Sequence, residues 1–136
     1  MKSRILVVDD EESIREFLEI MLRKEGYEVT TAEDGAKGLE IIKKKSFDLV
    51  VSDLQMPNMT GLELLKNVRD SYPDLLFMMI TAFGTTETAV EAMKLGAYDY
   101  ITKPFKIDEV RIVIGNALRS RNLEVENRSL KKELGK

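Results

Sequence analysis

Apolar runs alternate along this chain with amphipathic stretches of helical length. The runs at Ile5–Val8, Phe47–Ser52 and Leu75–Thr81 have the near-continuous apolar character of strands covered on both faces. Tyr98–Thr102 is a further strand candidate. Tyr27–Thr31 is different: it alternates and is polar, which suits the edge of a sheet. Between these runs lie four helical patterns. The first is Glu12–Lys24, with Ile14, Phe17, Leu18, Met21 and Leu22 on one stripe and Gly26 as a stop signal. The second is Gly35–Lys45, with Ala36, Leu39 and Ile42 expected inward. Thr60–Ser71 follows, with Leu62, Leu65 and Val68 inward, and then Thr85–Leu95, with Ala89, Ala92 and Met93 inward and Gly96 as its stop. A fifth helix starts near Lys106 and meets no breaker until Gly135. A βα unit repeated five times predicts an α/β fold: a doubly wound parallel sheet with helices on both faces.

Composition narrows the chemistry. At 136 residues there is room for one domain, or one domain with an appendage, and a 43% apolar fraction is enough to build a core. The chain has no cysteine, so disulfides and thiolate metal sites are excluded. It also has no histidine, which removes imidazole metal ligands, a Ser/His triad and any role as a phosphohistidine carrier. A net charge of −3 is not the footprint of a nucleic-acid binder. There is no charged-then-apolar leader and no apolar run of about 18 residues, so a soluble, cytosolic protein without membrane contact is expected.

Ligands of open parallel sheets bind beyond the carboxyl ends of the strands. The residues expected there are Asp9 and Asp10 after the first strand, Asp53 after the third, Thr81 and Ala82 after the fourth, and Lys103 before Pro104 after the fifth. The first strand runs straight into Asp9, Asp10, Glu11 and Glu12, four acids that repel one another and resist desolvation. Clustered carboxylates without His or Cys suit a hard divalent ion, and Mg²⁺ fits best because it keeps waters and takes phosphate oxygens. Each residue also has a plainer explanation. Asp9 and Asp10 could serve as helix N-terminal acids, Thr81 could satisfy backbone at a strand end, and Tyr100 could be simple packing. The convergence of several such residues on one rim favours the site.

The segments "VVDDEES", "DLVVSDLQMPNMTGLELL", "ITAFG" and "DYITKPF" resemble the receiver domain of bacterial two-component response regulators, over roughly residues 4 to 118. The resemblance implies a five-stranded sheet of order 2-1-3-4-5, in agreement with the edge position of Tyr27–Thr31. It implies a phosphorelay receiver that takes a phosphoryl group from a histidine kinase and catalyses only its own phosphorylation and dephosphorylation. Asp53 would be the phosphoacceptor. Asp10, Asp53 and the Gln55 backbone carbonyl would bind Mg²⁺, with Asp9 acting through a water. Thr81 and Lys103 would hold phosphoryl oxygens, the peptide before Pro104 would be cis, and Thr81 with Tyr100 would form the switch. Gln55 and Phe83 occupy two positions that vary in the family. Neither is a carboxylate that could orient water, which favours slow self-dephosphorylation.

Rival functions of the same topology fit less well. A flavodoxin relative would need a phosphate-cradling loop where "DDEES" stands. A Mg²⁺-dependent aspartyl-phosphate phosphatase would resemble a D-x-D motif, but Asp53-Leu54-Gln55 lacks the second acid and no general acid is evident; an unphosphorylated assembly module would not need the acidic set.

The tail is read separately, as residues 119–136 appended to a receiver of residues 1–118. Ser120, Leu123, Asn127, Leu130 and Leu134 recur three and four apart, the spacing of a coiled-coil seam with Asn127 as a polar register residue. The alternative is a solvated linker helix. A long terminal helix of this kind resembles the connector of transcriptional activators of the nitrogen-regulator type, which work with the alternative sigma factor. The expected partners are therefore a histidine kinase, a second copy of this chain through the C-terminal helix, and an output domain in a longer chain.

Overall fold

The computed structural model describes residues 2–82 and 85–134, with side chains described as far as Leu123. Five strands, β1 (Arg4–Val8), β2 (Glu28–Ala32), β3 (Leu49–Asp53), β4 (Leu76–Thr81) and β5 (Asp99–Thr102), form one parallel sheet of order β2-β1-β3-β4-β5. Five helices alternate with them: α1 (Glu12–Lys24), α2 (Gly35–Lys44), α3 (Gly61–Arg69), α4 (Thr86–Lys94) and α5 (Ile107–Leu134). The expected fold and the edge position of the polar strand are both found. Among the described residues no helix is long and apolar enough to cross a membrane.

Period-two alternation assigns the two sides of the sheet. Ile5, Val7, Leu49, Val51, Met78, Ile80 and Ile101 pack with Leu18 and Leu22 of α1 and with Val110, Ile114 and Leu118 of α5. Leu6, Val8, Val50, Phe77 and Met79 pack on the other side with Ile42 of α2, Leu64, Leu65 and Val68 of α3, and Ala92 of α4. β1 and β3 are buried throughout their apolar length because helices cover both faces, which is why their sequences do not alternate.

Helix limits follow from capping. Asp34 caps α2 by accepting from the Lys37 N–H at 2.8 Å. Thr60 and Glu63 form a capping box on α3, and Thr85 with Thr88 does the same for α4. Gly26 and Gly96, at φ 92° and 99°, turn the chain after α1 and α4.

Two inward residues expected from the pattern are corrected. Ala36 is exposed, because α2 turns Gly35, Gly38 and Ile42 toward the sheet. Met93 is 47% exposed, because α4 buries only Ala92. Tyr27 lies outside β2 because its N–H closes the end of α1 on the Leu22 carbonyl.

Arg121 belongs to the helix extension yet still bonds to the body. Its Nη1 lies 2.7 Å from Asp48 Oδ1, and its Nε donates to the Asp74 carbonyl at 2.9 Å. The other Asp48 oxygen accepts the Arg4 N–H at 2.7 Å.

Candidate acidic site at the strand ends

The register brings the expected residues to one rim. Val8 pairs with Ser52, Asp53 with Ile80, and Thr81 with Thr102, so the strands end nearly level. Asp9, Asp10 and Asp53 each offer a carboxylate oxygen, and these oxygens lie within 4.8 Å of one another. Asp10 is exposed, whereas Asp9 and Asp53 are 2% and 6% exposed.

Lys103 reconciles the two buried acids. Its Nζ lies 3.2 Å from Asp9 Oδ2 and 3.2 Å from Asp53 Oδ2. Glu11, which sequence reasoning left out of the site, is a third anion 3.6 Å from the same ammonium. The Lys103 N–H donates to the Thr81 carbonyl at 2.8 Å, and the Lys103–Pro104 peptide is cis, as the resemblance implied. The remaining oxygens are held by main chain. Asp9 Oδ1 accepts the Glu11 N–H at 2.9 Å, and Asp53 Oδ1 accepts the Gln55 N–H at 3.2 Å. Arg15 Nη1 donates to the Asp9 carbonyl at 2.7 Å, fixing α1 against the first loop.

Burial pushes the Asp9 carboxyl above the usual carboxylate range; the Glu11 N–H and Lys103 pull it back, and the charge of Asp53 adds to the rise. Burial alone would lower the Lys103 ammonium, but the facing Asp9 and Asp53 outweigh it and raise it above 10.5. Three aspartates and Glu11 outnumber the one ammonium on the rim, so it stays negative, and oxygen is their sole donor type. That donor set fits a hard divalent cation.

Two residues missed in the sequence support the third strand end. Ser52, fully buried, donates its hydroxyl to the Asp53 carbonyl at 2.9 Å. Gly61 packs its Cα against the same carbonyl, where a Cβ would collide with Asp53 O. The hydrophobic pattern signals neither; the capping residues before Gly61 were the only local hint.

Thr81 is fully buried at the end of β4. Tyr100 is half-buried on the neighbouring strand, where it pairs with Met79 while Thr81 pairs with Thr102, and its hydroxyl lies 3.4 Å from Thr88 Oγ1 of α4. The Gln55 side chain is exposed. Phe83 lies outside the described residues, as do the side chains of Asn127, Leu130 and Leu134; Leu123, the first leucine of the expected seam, is 56% exposed.

Fold and rim together define a doubly wound α/β protein with a cluster of three aspartates, able to hold a cation, beyond its strand ends. The model of the response regulator receiver domain matches residues 5–115. The chain is 37% identical over 125 residues to the response regulator protein PilR of Pseudomonas aeruginosa, covering 92% of this chain and 28% of that protein. It is 42% identical over 114 residues to the DNA-binding transcriptional regulator NtrC of Escherichia coli, covering 84% of this chain and 24% of that protein. A crystal structure of NtrX from Brucella abortus superposes with a TM-score of 0.91 at 40% identity, covering 100% of this chain and 30% of that one. The chain belongs to the response regulator receiver domain family, a family of signalling domains, and its relatives include transcriptional regulators. It spans less than a third of the length of these relatives.

Proposed function

We propose that Asp53 accepts a phosphoryl group from a histidine kinase in a Mg²⁺-dependent reaction. The observation that carries this reading is Lys103 Nζ held 3.2 Å from both Asp9 and Asp53, with Asp10 beside them on the same rim. Asp10, Asp53 and the Gln55 carbonyl are the residues to hold the ion, with Asp9 acting through water. When bound, the ion neutralises charge on the transferring phosphoryl group. An Asp53 oxygen forms the new bond to phosphorus as the donor's bond to phosphorus breaks, and the donor leaves with that electron pair. Lys103 then has a phosphoryl oxygen to pair with in place of the bare carboxylate. Positioning and cations are what this transfer requires, so the domain acts on its own acceptor and on no separate substrate. Gln55 and Phe83 supply no carboxylate to orient water, which favours a long-lived acyl phosphate.

The expected result is Mg²⁺-dependent acyl-phosphate formation on incubation with acetyl phosphate, read by intact mass. Asp53→Ala is expected to abolish it, and EDTA to prevent it in the wild type. An adduct that survives either treatment would refute the assignment, and steady phosphoester turnover would favour the phosphatase alternative.

For the output we propose a switch through Thr81 and Tyr100. The Thr81 hydroxyl turns to the new phosphoryl oxygens, Tyr100 releases its contact with Thr88, and α4 shifts against β5. α4 buries only Ala92, so its two placements differ by little packing energy. In a longer cytoplasmic chain this movement would reach an output domain, by resemblance that of a transcriptional activator working with the alternative sigma factor. Residues 119–136 are proposed as the linker that also pairs two copies through Leu123, Asn127, Leu130 and Leu134. Sedimentation with and without beryllofluoride is expected to show a dimer that Leu130→Glu disrupts. A chain that stays monomeric at high micromolar concentration in both states would leave the solvated linker instead.

A further inference from the structure

The loop Gln55–Thr60 carries the backbone that must face the ion, and it is braced from a helix that supplies nothing to the rim itself. Its base is closed by the Gly61 N–H on the Leu54 carbonyl at 2.9 Å, and its first residue reaches Asp53 through the Gln55 N–H. Its crest is Asn58, at φ 71°, a left-handed conformation that Asn tolerates. Asn58 Nδ2 donates to Asp34 Oδ2 at 3.1 Å. The other Asp34 oxygen is already committed to the Lys37 N–H, so the carboxylate is fixed by the first turn of α2. Beside it Gly35 leaves room for the loop: a Cβ there would lie 2.5 Å from the Met59 carbonyl. The start of α2 therefore touches the loop at two successive residues, through a hydrogen bond to Asn58 and a close approach to Met59.

We propose that Asp34 is a positioning residue for the Mg²⁺ site, acting through Asn58 on the loop that carries Gln55. This rests on the reading of Asp53 and Gln55 given above. A backbone carbonyl offered as ligand binds tightly only if its loop is ordered before the ion arrives. Partners behind the ligands routinely govern metal affinity. The Asp34–Asn58 bond supplies that order from outside the site, without adding a charge to it.

Two substitutions isolate the bond. Asn58→Gly keeps the left-handed backbone and removes the donor. Asp34→Ser keeps an oxygen for the cap of α2 but is too short to serve Asn58 as well. Mg²⁺ affinity is measured by calorimetry on the full chain, and hydrogen exchange of the Gln55 amide by NMR in metal-free protein. Each variant is expected to weaken Mg²⁺ about fivefold, the scale of one lost hydrogen bond. The double variant should be no weaker than either single, since both remove the same contact. The Gln55 amide should exchange several-fold faster in both. Val68→Ala, which opens the core on the same side of the sheet, should lower stability and leave Mg²⁺ affinity unchanged. Wild-type affinity in Asn58→Gly, additive losses in the double variant, or an equal loss in Val68→Ala would overturn the proposal. A wild type that binds no Mg²⁺ would end the reading of the site, while unchanged Gln55 exchange would by itself remove the brace.

Discussion

Replacing Lys103 with methionine is expected to lower the unfolding free energy at neutral pH by about 3 kcal/mol, and added Mg²⁺ to restore much of it. The ammonium is the cation shared by Asp9 and Asp53, both nearly inaccessible to water. Without it two buried carboxylates face each other, and removing one partner of a buried pair costs far more than the pair contributes. Asp9, already raised by burial, should rise further. A carboxylate with a raised folded pKa makes the folded state the better proton binder, so stability falls as pH rises from 3.8 to the folded value. That fall should be steeper in the variant. Lys103 acts at the other end of the scale. Its contribution is complete below 10.5 and is lost as pH rises through its higher folded value, a limb the variant lacks. On the proposed reading, Mg²⁺ would bind only the folded site and stabilise it by mass action. Urea unfolding across pH, with and without Mg²⁺, measures all of this. Equal stabilities of variant and wild type would show that the two acids do not depend on the ammonium.

Gly61→Ala is expected to cost about 2 kcal/mol in stability and about a hundredfold in the rate of phosphorylation by acetyl phosphate. The added Cβ would run into the Asp53 carbonyl and lie 3.1 Å from both Leu54 Cα and Met79 Sδ. The first two of these are backbone and cannot step aside, so the end of β3 that carries Asp53 must move. Gly115→Ala is the contrasting change. Among the described residues its Cβ would meet only Arg119 Nη2, at 3.7 Å, in the interior of α5. There a glycine-to-alanine exchange should stabilise by about 0.5–1 kcal/mol with no effect on phosphorylation. Thermal unfolding and the rate of acyl-phosphate formation distinguish the two glycines. A Gly61→Ala protein with the wild-type rate would mean that the placement of Asp53 does not depend on that close approach.

The central strands were legible because burial on both faces leaves an apolar run without alternation, as at Ile5–Val8. The rim was legible because strand ends in a parallel sheet finish together, which gathers Asp9, Asp53, Thr81 and Lys103 from distant parts of the chain. What the pattern hid has physical causes. α2 meets the sheet through Gly35 and Gly38, and a Cβ on Gly38 would lie 3.1 Å from Val8; hydrophobicity does not reveal a face made of absent side chains. Ala36 therefore looked inward by spacing and faces solvent, and Met93 does so on α4, which buries only Ala92. The double engagement of Lys103 and the role of Glu11 depend on side-chain reach, which register does not specify. The bond from Asn58 to Asp34 joins two loops that the sequence reading treated separately.

The Arg121–Asp48 pair bears on modularity. The last buried residue of α5 on the described face is Leu118, yet Arg121, most of a turn further on, holds the carboxylate that also receives the first strand. The unit that holds itself together by its own contacts therefore reaches to the guanidinium, beyond the edge of the core. A receiver grafted onto a foreign output at Leu118 would lose the Arg121 bonds to Asp48 and to the Asp74 carbonyl. One grafted after Arg121 would carry its own floor with it, and the borrowed helix would begin from a root already set in place.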